Sequence, residues 1–295
     1  MAETVGFIGL GAMGRPMALN LRKHGMSVIV HNRSHGSERT LLEAGASVAS
    51  SPAAVAAAAQ VIVTMLPDAP DVAAVLDGPQ GVWAALQPGS VIVDSSTIAP
   101  AAAIGFAAET AARGGTYLDA PVSGGEIGAI DGTLTFMVGG PLEALARARP
   151  VLVCMGREDR LVHVGPAGAG QICKACNQLV IGGTMVAVAE ALALARRAGV
   201  DGAKVRQALL GGFAASRVLE VHGERMLGAN YVPGFKARLY KKDLRVVQET
   251  LAAHGVPGLV TAVVQQLVHA QVAGGGGEDD YSGVAKVVFG LAGLD

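Results

Sequence analysis

Over the first 165 residues, short β-branched runs alternate with Ala-rich stretches of helical length. Such runs, bounded by Gly, Pro and Asn, read as strands, and their alternation with helices reads as βαβ units on a parallel sheet. The pattern predicts strands over 5–8, 27–31, 61–65, 90–94, 116–119, 134–138, 151–154 and 161–164.

After Gly165-Pro166 the β-branched alternation stops. A long helix is predicted over 168–198, ended by Gly199, then helices over 202–211, 216–228, 235–254, 257–273 and 281–290, with a flexible loop at 274–277. Asp280 or Ser282 is the expected cap of the last helix. The reading is therefore an α/β domain over 1–165 and an all-α substrate and oligomerisation domain over 166–295, joined by the long helix, with the active site expected in the cleft between them. The apolar stretch 179–195 approaches the length of a membrane span, but Glu190 interrupts it, and Lys174, Asn177 and Gln178 precede it. A buried helix is expected, and no membrane partner.

Charged residues make up 16% of the chain and apolar residues 51%. Soluble proteins carry roughly 25% charged residues, so much of this surface must be hidden, and a homodimer or homotetramer is expected. The net charge of −1, with Lys and Arg scattered, argues against a nucleic-acid partner, as does an aromatic content of 4%. Three cysteines make no disulfide framework, and the Met-Ala-Glu start runs directly into the first strand, so a cytoplasmic protein is expected.

Candidate chemistry begins at Gly9-Leu10-Gly11-Ala12-Met13-Gly14, which follows the first strand and opens a helix. That context makes it a dinucleotide fingerprint: Gly9 for the tight turn, Gly11 for backbone approach to the pyrophosphate, Gly14 for packing helix on strand. The first domain is thus expected to be a Rossmann-type doubly wound sheet. An NAD-selective chain places a carboxylate about 20 residues on, at the end of the second strand. Here that place reads Asn32-Arg33-Ser34, with no acid. Arg33 either faces a 2′-phosphate, which favours NADPH, or is a solvated loop charge, and NADH use stays open.

Two further segments stand out. In Asp119-Ala120-Pro121-Val122-Ser123-Gly124-Gly125 a Ser-Gly-Gly turn offers a hydroxyl and successive backbone N–H groups, a cradle for a carboxylate. In Gly168–Gln178, helical spacing puts Lys174, Asn177 and Gln178 on one face. Together with the glycine turn, Gly132-Thr133-Leu134 and Lys241-Lys242-Asp243-Leu244, these segments resemble the β-hydroxyacid dehydrogenase family over essentially the whole chain. The resemblance is strongest to its branch acting on tartronate semialdehyde, through Gly124-Gly125-Glu126, Ala129–Gly132 and Gly211-Gly212-Phe213-Ala214 with Ser216.

That resemblance implies that Ser123, Gly124 and Gly125 hold the substrate carboxylate and that Lys174 is the catalytic lysine. It places Leu66, Pro67, Thr97 and Lys242 along the nicotinamide and ribose. Several members carry a helper asparagine four residues after the lysine; here Gln178 stands there and Asn177 three after it, so either amide is a candidate. Hydride arriving at a carbonyl carbon leaves charge on oxygen, which a positioned ammonium stabilises and protonates without a metal. Asp243 is expected to fix the lysine or the 237–244 segment.

The implied reaction is reduction of a small carboxylated aldehyde to a hydroxyacid, tartronate semialdehyde to glycerate foremost. 3-Hydroxyisobutyrate, succinic semialdehyde and glyoxylate fit the same residues. Lys174 argues against imine reduction on this scaffold, and Lys174 with Ser123 against a silent dinucleotide-binding scaffold. Cys173 and Cys176 read as two packed thiols, not a redox pair or zinc site, since no second ligand pair accompanies them.

Overall fold

The computed structural model describes residues 4–34 and 36–294. The chain forms two compact units, Met1–Lys174 and Ala175–Asp295.

The first unit runs β1 (Thr4–Ile8), α1 (Gly14–Lys23), β2 (Ser27–His31), α2 (Arg39–Glu43), β3 (Ser47–Val48), α3 (Pro52–Ala58), β4 (Val61–Thr64) and α4 (Ala69–Leu76). It continues through β5 (Val91–Asp94), α5 (Pro100–Ala111), β6 (Thr116–Asp119), β7 (Val122–Ser123), α6 (Gly125–Asp131), β8 (Leu134–Gly139), α7 (Leu142–Leu152) and β9 (Gly156–Gly165). The strands lie in the order β3-β2-β1-β4-β5-β6-β8-β7, with β9 beside β8. From β3 to β6 every pairing is parallel.

Alternate residues of the central strands feed two cores. Val5, Phe7, Val61, Val63, Val91 and Val93 pack with Met17 and Leu21 on one face. Ile8, Ile62 and Ile92 pack with Val55, Val72, Leu76 and Tyr117 on the other. All residues of β4 and β5 are buried, as continuous β-branched runs require when helices cover both faces of a parallel sheet. The strand order reverses at β1, so the β1–α1 turn lies at the switch point where such sheets bind nucleotides.

Two expectations for this unit are corrected. Residues 151–154 do not form a strand: Val151 and Leu152 end α7, where Ala144, Leu145 and Ala148 are also buried. Positions 144, 148, 151 and 152 make one helical stripe, and a short apolar run alone does not separate strand from buried helix. Nor is the sheet parallel throughout, because β8 runs antiparallel to β6 and β7. The chain reverses at Gly132, whose φ of 67° is left-handed, immediately before β8.

α8 (Ala169–Arg197) begins in the first unit and continues into the second, which adds α9 (Gly202–Leu210), α10 (Arg217–Leu227), α11 (Ala237–Ala253), α12 (Leu259–Gln271) and α13 (Val284–Leu291). Asp201 and Ser216 cap α9 and α10 through their side chains. Met185, Ala189 and Leu192 of α8 form a core with Leu219, Tyr240, Leu244, Val264, Val268 and Val288. α8 is long and apolar enough to cross a membrane, and half of its most apolar window is buried within the protein. At the predicted loop 274–277 a wide turn over Val272–Gly276 is broken at Gly275, whose φ is 91°, and Arg238 N donates to Gly277 O. Asp280 caps the short turn Tyr281–Gly283 that leads into α13.

Candidate active site

The glycine turn is set by what a side chain would strike. Gly9 has φ +98°, and a Cβ there would lie 2.3 Å from Met65 O; a Cβ on Gly14 would lie 1.9 Å from Gly9 O. These two glycines are therefore required by the turn and by the seating of α1 on β1. At Gly11 a Cβ would meet nothing within 4 Å, so the open side of the turn is the side a pyrophosphate would take. Asn32 Oδ1 accepts a 2.9 Å bond from Leu10 N and its Nδ2 donates to Ser34 O at 2.8 Å, so this side chain holds the turn. Arg33 is exposed, and its Nη1 lies 3.4 Å from Asp71 Oδ1. The cradle fits a dinucleotide.

Deeper in the first unit, two buried carboxylates organise the strand ends. Asp94 accepts bonds from Thr64 Oγ1 and Tyr117 OH, both at 2.7 Å, and from Ser96 N at 3.1 Å. Ser96 Oγ in turn accepts from Leu66 N at 2.9 Å, which fixes the Leu66-Pro67 segment. Burial, reinforced by Asp94, pushes the Tyr117 hydroxyl well above its usual range.

Asp119 Oδ1 accepts from Gly168 N at 2.8 Å and Oδ2 from Gln171 N at 2.9 Å. Burial raises its pKa, and those two N–H groups oppose the rise. The carboxylate thus caps the start of α8, where unpaired N–H groups and the helix dipole favour an anion. The approach is close enough to demand glycine: a Cβ on Gly170 would lie 2.3 Å from Met137 O and 2.9 Å from Asp119 Oδ2. Gln171, 1% exposed, clamps the segment carrying Thr97: Ile98 N donates to its Oε1 at 3.1 Å, and its Nε2 donates to Ser96 O at 2.8 Å.

Three residues beyond Gln171, Lys174 is 8% exposed and its Nζ donates to Val122 O at 2.8 Å. That bond holds the ammonium beside Ser123, the first residue of the Ser-Gly-Gly turn, where Gly124 and Gly125 both have positive φ. The first unit therefore brings together Lys174 and Ser123, and links α8 to the segment carrying Thr97.

In the second unit Asn177 Nδ2 donates to Gln178 Oε1 at 2.9 Å, and Gln178 Nε2 donates to Asp243 Oδ2 at 2.6 Å. Lys242 Nζ sits 2.7 Å from Asp243 Oδ1, and Tyr240 OH donates to Gln178 O at 2.9 Å. So Gln178 and Lys242 converge on Asp243, which is 2% exposed, and Asn177 joins them through Gln178. Burial, with the nearby Tyr281 and the Asp243 charge, raises the Tyr240 hydroxyl well above its usual range. Cys176 is exposed, not packed as expected, while Cys173 is half-buried.

Sequence reasoning passed over Asp94, Gln171 and Tyr240, and quoted Asp119 without its capping role. Gly170 and Gly139, where a Cβ would lie 2.5 Å from Asp119 Oδ1, are local signals of the close approach at the start of α8. Apart from Ser96 N on Asp94, the partners stand 23 to 75 residues apart in the chain, beyond any helical or strand spacing.

Residues 4–165 match the family described as the NAD binding domain of 6-phosphogluconate dehydrogenase, and 168–288 that described as NAD-binding of NADP-dependent 3-hydroxyisobutyrate dehydrogenase. The chain is 43% identical over 284 residues, covering 96% of both proteins, to 2-hydroxy-3-oxopropionate reductase of Escherichia coli (strain K12). It is 37% identical to 2-(hydroxymethyl)glutarate dehydrogenase of Eubacterium barkeri, covering 96% of this chain and 94% of the relative. A solved structure of Mycobacterium tuberculosis 3-hydroxyisobutyrate dehydrogenase with L-serine matches with a TM-score of 0.87 and 33% identity, covering 98% of this chain and 99% of that one. This chain belongs to the β-hydroxyacid dehydrogenase family of NAD(P)-dependent oxidoreductases.

Proposed function

We propose that the protein reduces tartronate semialdehyde to glycerate with NADPH in preference to NADH, and that Lys174 donates the proton. The observation that carries this reading is the 2.8 Å bond from Lys174 Nζ to Val122 O. It ties a buried ammonium to the residue before Ser123, so proton donor and carboxylate cradle adjoin. That suits a substrate whose carboxylate and carbonyl are separated by one carbon. The relative from Escherichia coli, named for this reaction, supports the choice of substrate.

In this reading the Ser123 hydroxyl and the N–H groups of Gly124 and Gly125 bind the carboxylate and orient the aldehyde. A nicotinamide held there would supply the hydride to the carbonyl carbon. Lys174 stabilises the charge that develops on oxygen and passes a proton from Nζ to it, leaving a neutral amine that solvent reprotonates. Asn177 and Gln178, on the same helix, are the candidate amide helpers, and the family resemblance assigns Leu66, Pro67, Thr97 and Lys242 to the nicotinamide and ribose. Arg33, with Asn32 and Ser34 beside it, supports the NADPH preference, since Asn32 stands at the end of β2 where a carboxylate would receive a ribose hydroxyl. The second unit exposes Leu194, Leu259 and Leu291 at 71%, 77% and 78%, which supports a homo-oligomer.

The test is the initial rate of NADPH and NADH oxidation with tartronate semialdehyde, succinic semialdehyde and glyoxylate, for the native chain beside Lys174→Ala. The expected result is fastest turnover of tartronate semialdehyde with NADPH, and a fall in kcat of about 10²- to 10⁴-fold in the variant. Faster turnover of another aldehyde moves the substrate; turnover independent of Lys174 overturns the proton donor.

A further inference from the structure

The corner where a coenzyme's adenosine ribose would lie carries an acid after all, brought from a different element. The Asn32 amide, at the position of the usual carboxylate, is engaged by Leu10 N and Ser34 O. Arg33 follows it with a side chain 87% exposed, and Asp71, in the first turn of α4 and 38 residues away, places Oδ1 3.4 Å from Arg33 Nη1. The neighbouring Asp68 uses its Oδ1 to cap α4, accepting from Ala69 N at 2.8 Å.

We propose that Asp71 is a coenzyme-specificity residue that offsets the Arg33 charge and so holds down the preference for NADPH over NADH. The inference rests on Arg33 being the 2′-phosphate partner, as given under the proposed function. A 2′-phosphate brings a charge of roughly −1.5 to −2 and needs the guanidinium as its counter-charge. Asp71 competes for that guanidinium and repels the phosphate. A 2′-hydroxyl carries no charge and meets neither effect. Because Arg33 is solvated and the Asp71 side chain is 29% exposed, water screens the competition, and its size is that of an exposed ion pair.

Asp71→Asn keeps the side-chain shape and removes the charge. The measurement is the Kd of adenosine 2′,5′-bisphosphate and of 5′-AMP by titration calorimetry at low and high salt, for the native protein, Asp71→Asn, Arg33→Ala and the double variant, beside kcat/KM for both coenzymes. Asp71→Asn is expected to bind the bisphosphate about two- to fivefold more tightly at low salt, with AMP unchanged. The NADPH-to-NADH ratio is expected to rise by the same factor, through KM and not kcat. The gain should shrink at high salt and vanish in the Arg33→Ala background. If Arg33→Ala leaves the bisphosphate-to-AMP ratio unchanged, the reading of Arg33 fails and this inference with it. If Arg33→Ala lowers that ratio but Asp71→Asn leaves it unchanged, or tightens both nucleotides equally, Asp71 has no part in specificity while the reading of Arg33 stands.

Discussion

The two units hold their polar groups by different means. In the first, backbone is aimed by glycines and pinned by side-chain oxygens, beside side-chain bonds such as Tyr117 OH on Asp94: Leu10 N on Asn32, Ser96 N on Asp94, Gly168 N and Gln171 N on Asp119. In the second, Asp280 likewise pins the backbone at Gly234 N and Ser282 N, but around Asp243 side chains hold side chains: Asn177 on Gln178, and Gln178 and Lys242 on Asp243. A site defined by backbone leaves no space for an added atom and fails all at once. A network of side chains loses one link at a time.

The glycine turn gives the largest expected effect on that contrast. Gly14→Ala puts a Cβ 1.9 Å from a backbone oxygen that cannot rotate away, so α1 must shift off β1. The expected loss is about 3 kcal/mol of stability, at the upper end of overpacking, together with coenzyme binding. Gly11→Ala, where nothing lies within 4 Å, is expected to leave stability within about 0.5 kcal/mol and to weaken coenzyme binding tenfold or more, about 1.4 kcal/mol. Denaturant unfolding and coenzyme fluorescence titration on both variants separate the two. Equal stability losses would mean that the open side of the turn is not kept for a ligand.

The same contrast governs what can be read from the chain. Strands β2 and β6 begin and end where the strands predicted over 27–31 and 116–119 do. The glycine turn is legible because a backbone constraint leaves the same mark, Gly, wherever it occurs. The end of α7 is misread at 151–154 because its stripe 144, 148, 151, 152 is longer than the local window that suggests a strand. Asp94, Asp119 and Gln171 carry no such mark: an acid at a strand end or a Gln in a helix is common, and only tertiary placement gives it partners 23 to 75 residues away. Lys174, Asn177 and Gln178 stand out by helical spacing, whereas the anchoring of Gln178 on Asp243, 65 residues on, does not.

Gln178→Ala tests the second unit's side of the contrast with an intermediate effect. It removes the 2.6 Å bond to Asp243 and leaves Lys242 Nζ, 2.7 Å from Oδ1, beside that buried carboxylate. The expected cost is about 1–3 kcal/mol by denaturant unfolding, with the helical fold retained in circular dichroism. A cost below about 0.5 kcal/mol would place the network among solvated contacts, and a cooperative collapse like that of Gly14→Ala would erase the difference between the units.

The smallest expected effect is a pH response of opposite sign in the two units. Burial raises the Asp119 pKa, so its contribution to stability is full below the ordinary carboxylate value and is lost as pH rises through the raised one. His222 behaves in reverse. Its Nε2 lies 3.0 Å from Tyr281 OH and its Nδ1 3.7 Å from Asp280 Oδ1, and burial depresses its pKa despite the pull of Asp280, helped by Arg225 and Arg217. Neutral imidazole is therefore the native form, and its contribution is present above the ordinary histidine value, about 6.5, and is lost as pH falls towards the depressed value. Melting temperatures of the native chain and His222→Gln between pH 7.5 and 5.5 isolate this group, since every carboxylate is common to both. The native chain is expected to lose more stability than the variant over that interval, so that the gap between their melting temperatures narrows with acid. Parallel curves would mean that the ring takes up its proton equally in folded and unfolded chains, and that the Asp280 carboxylate compensates the burial in full.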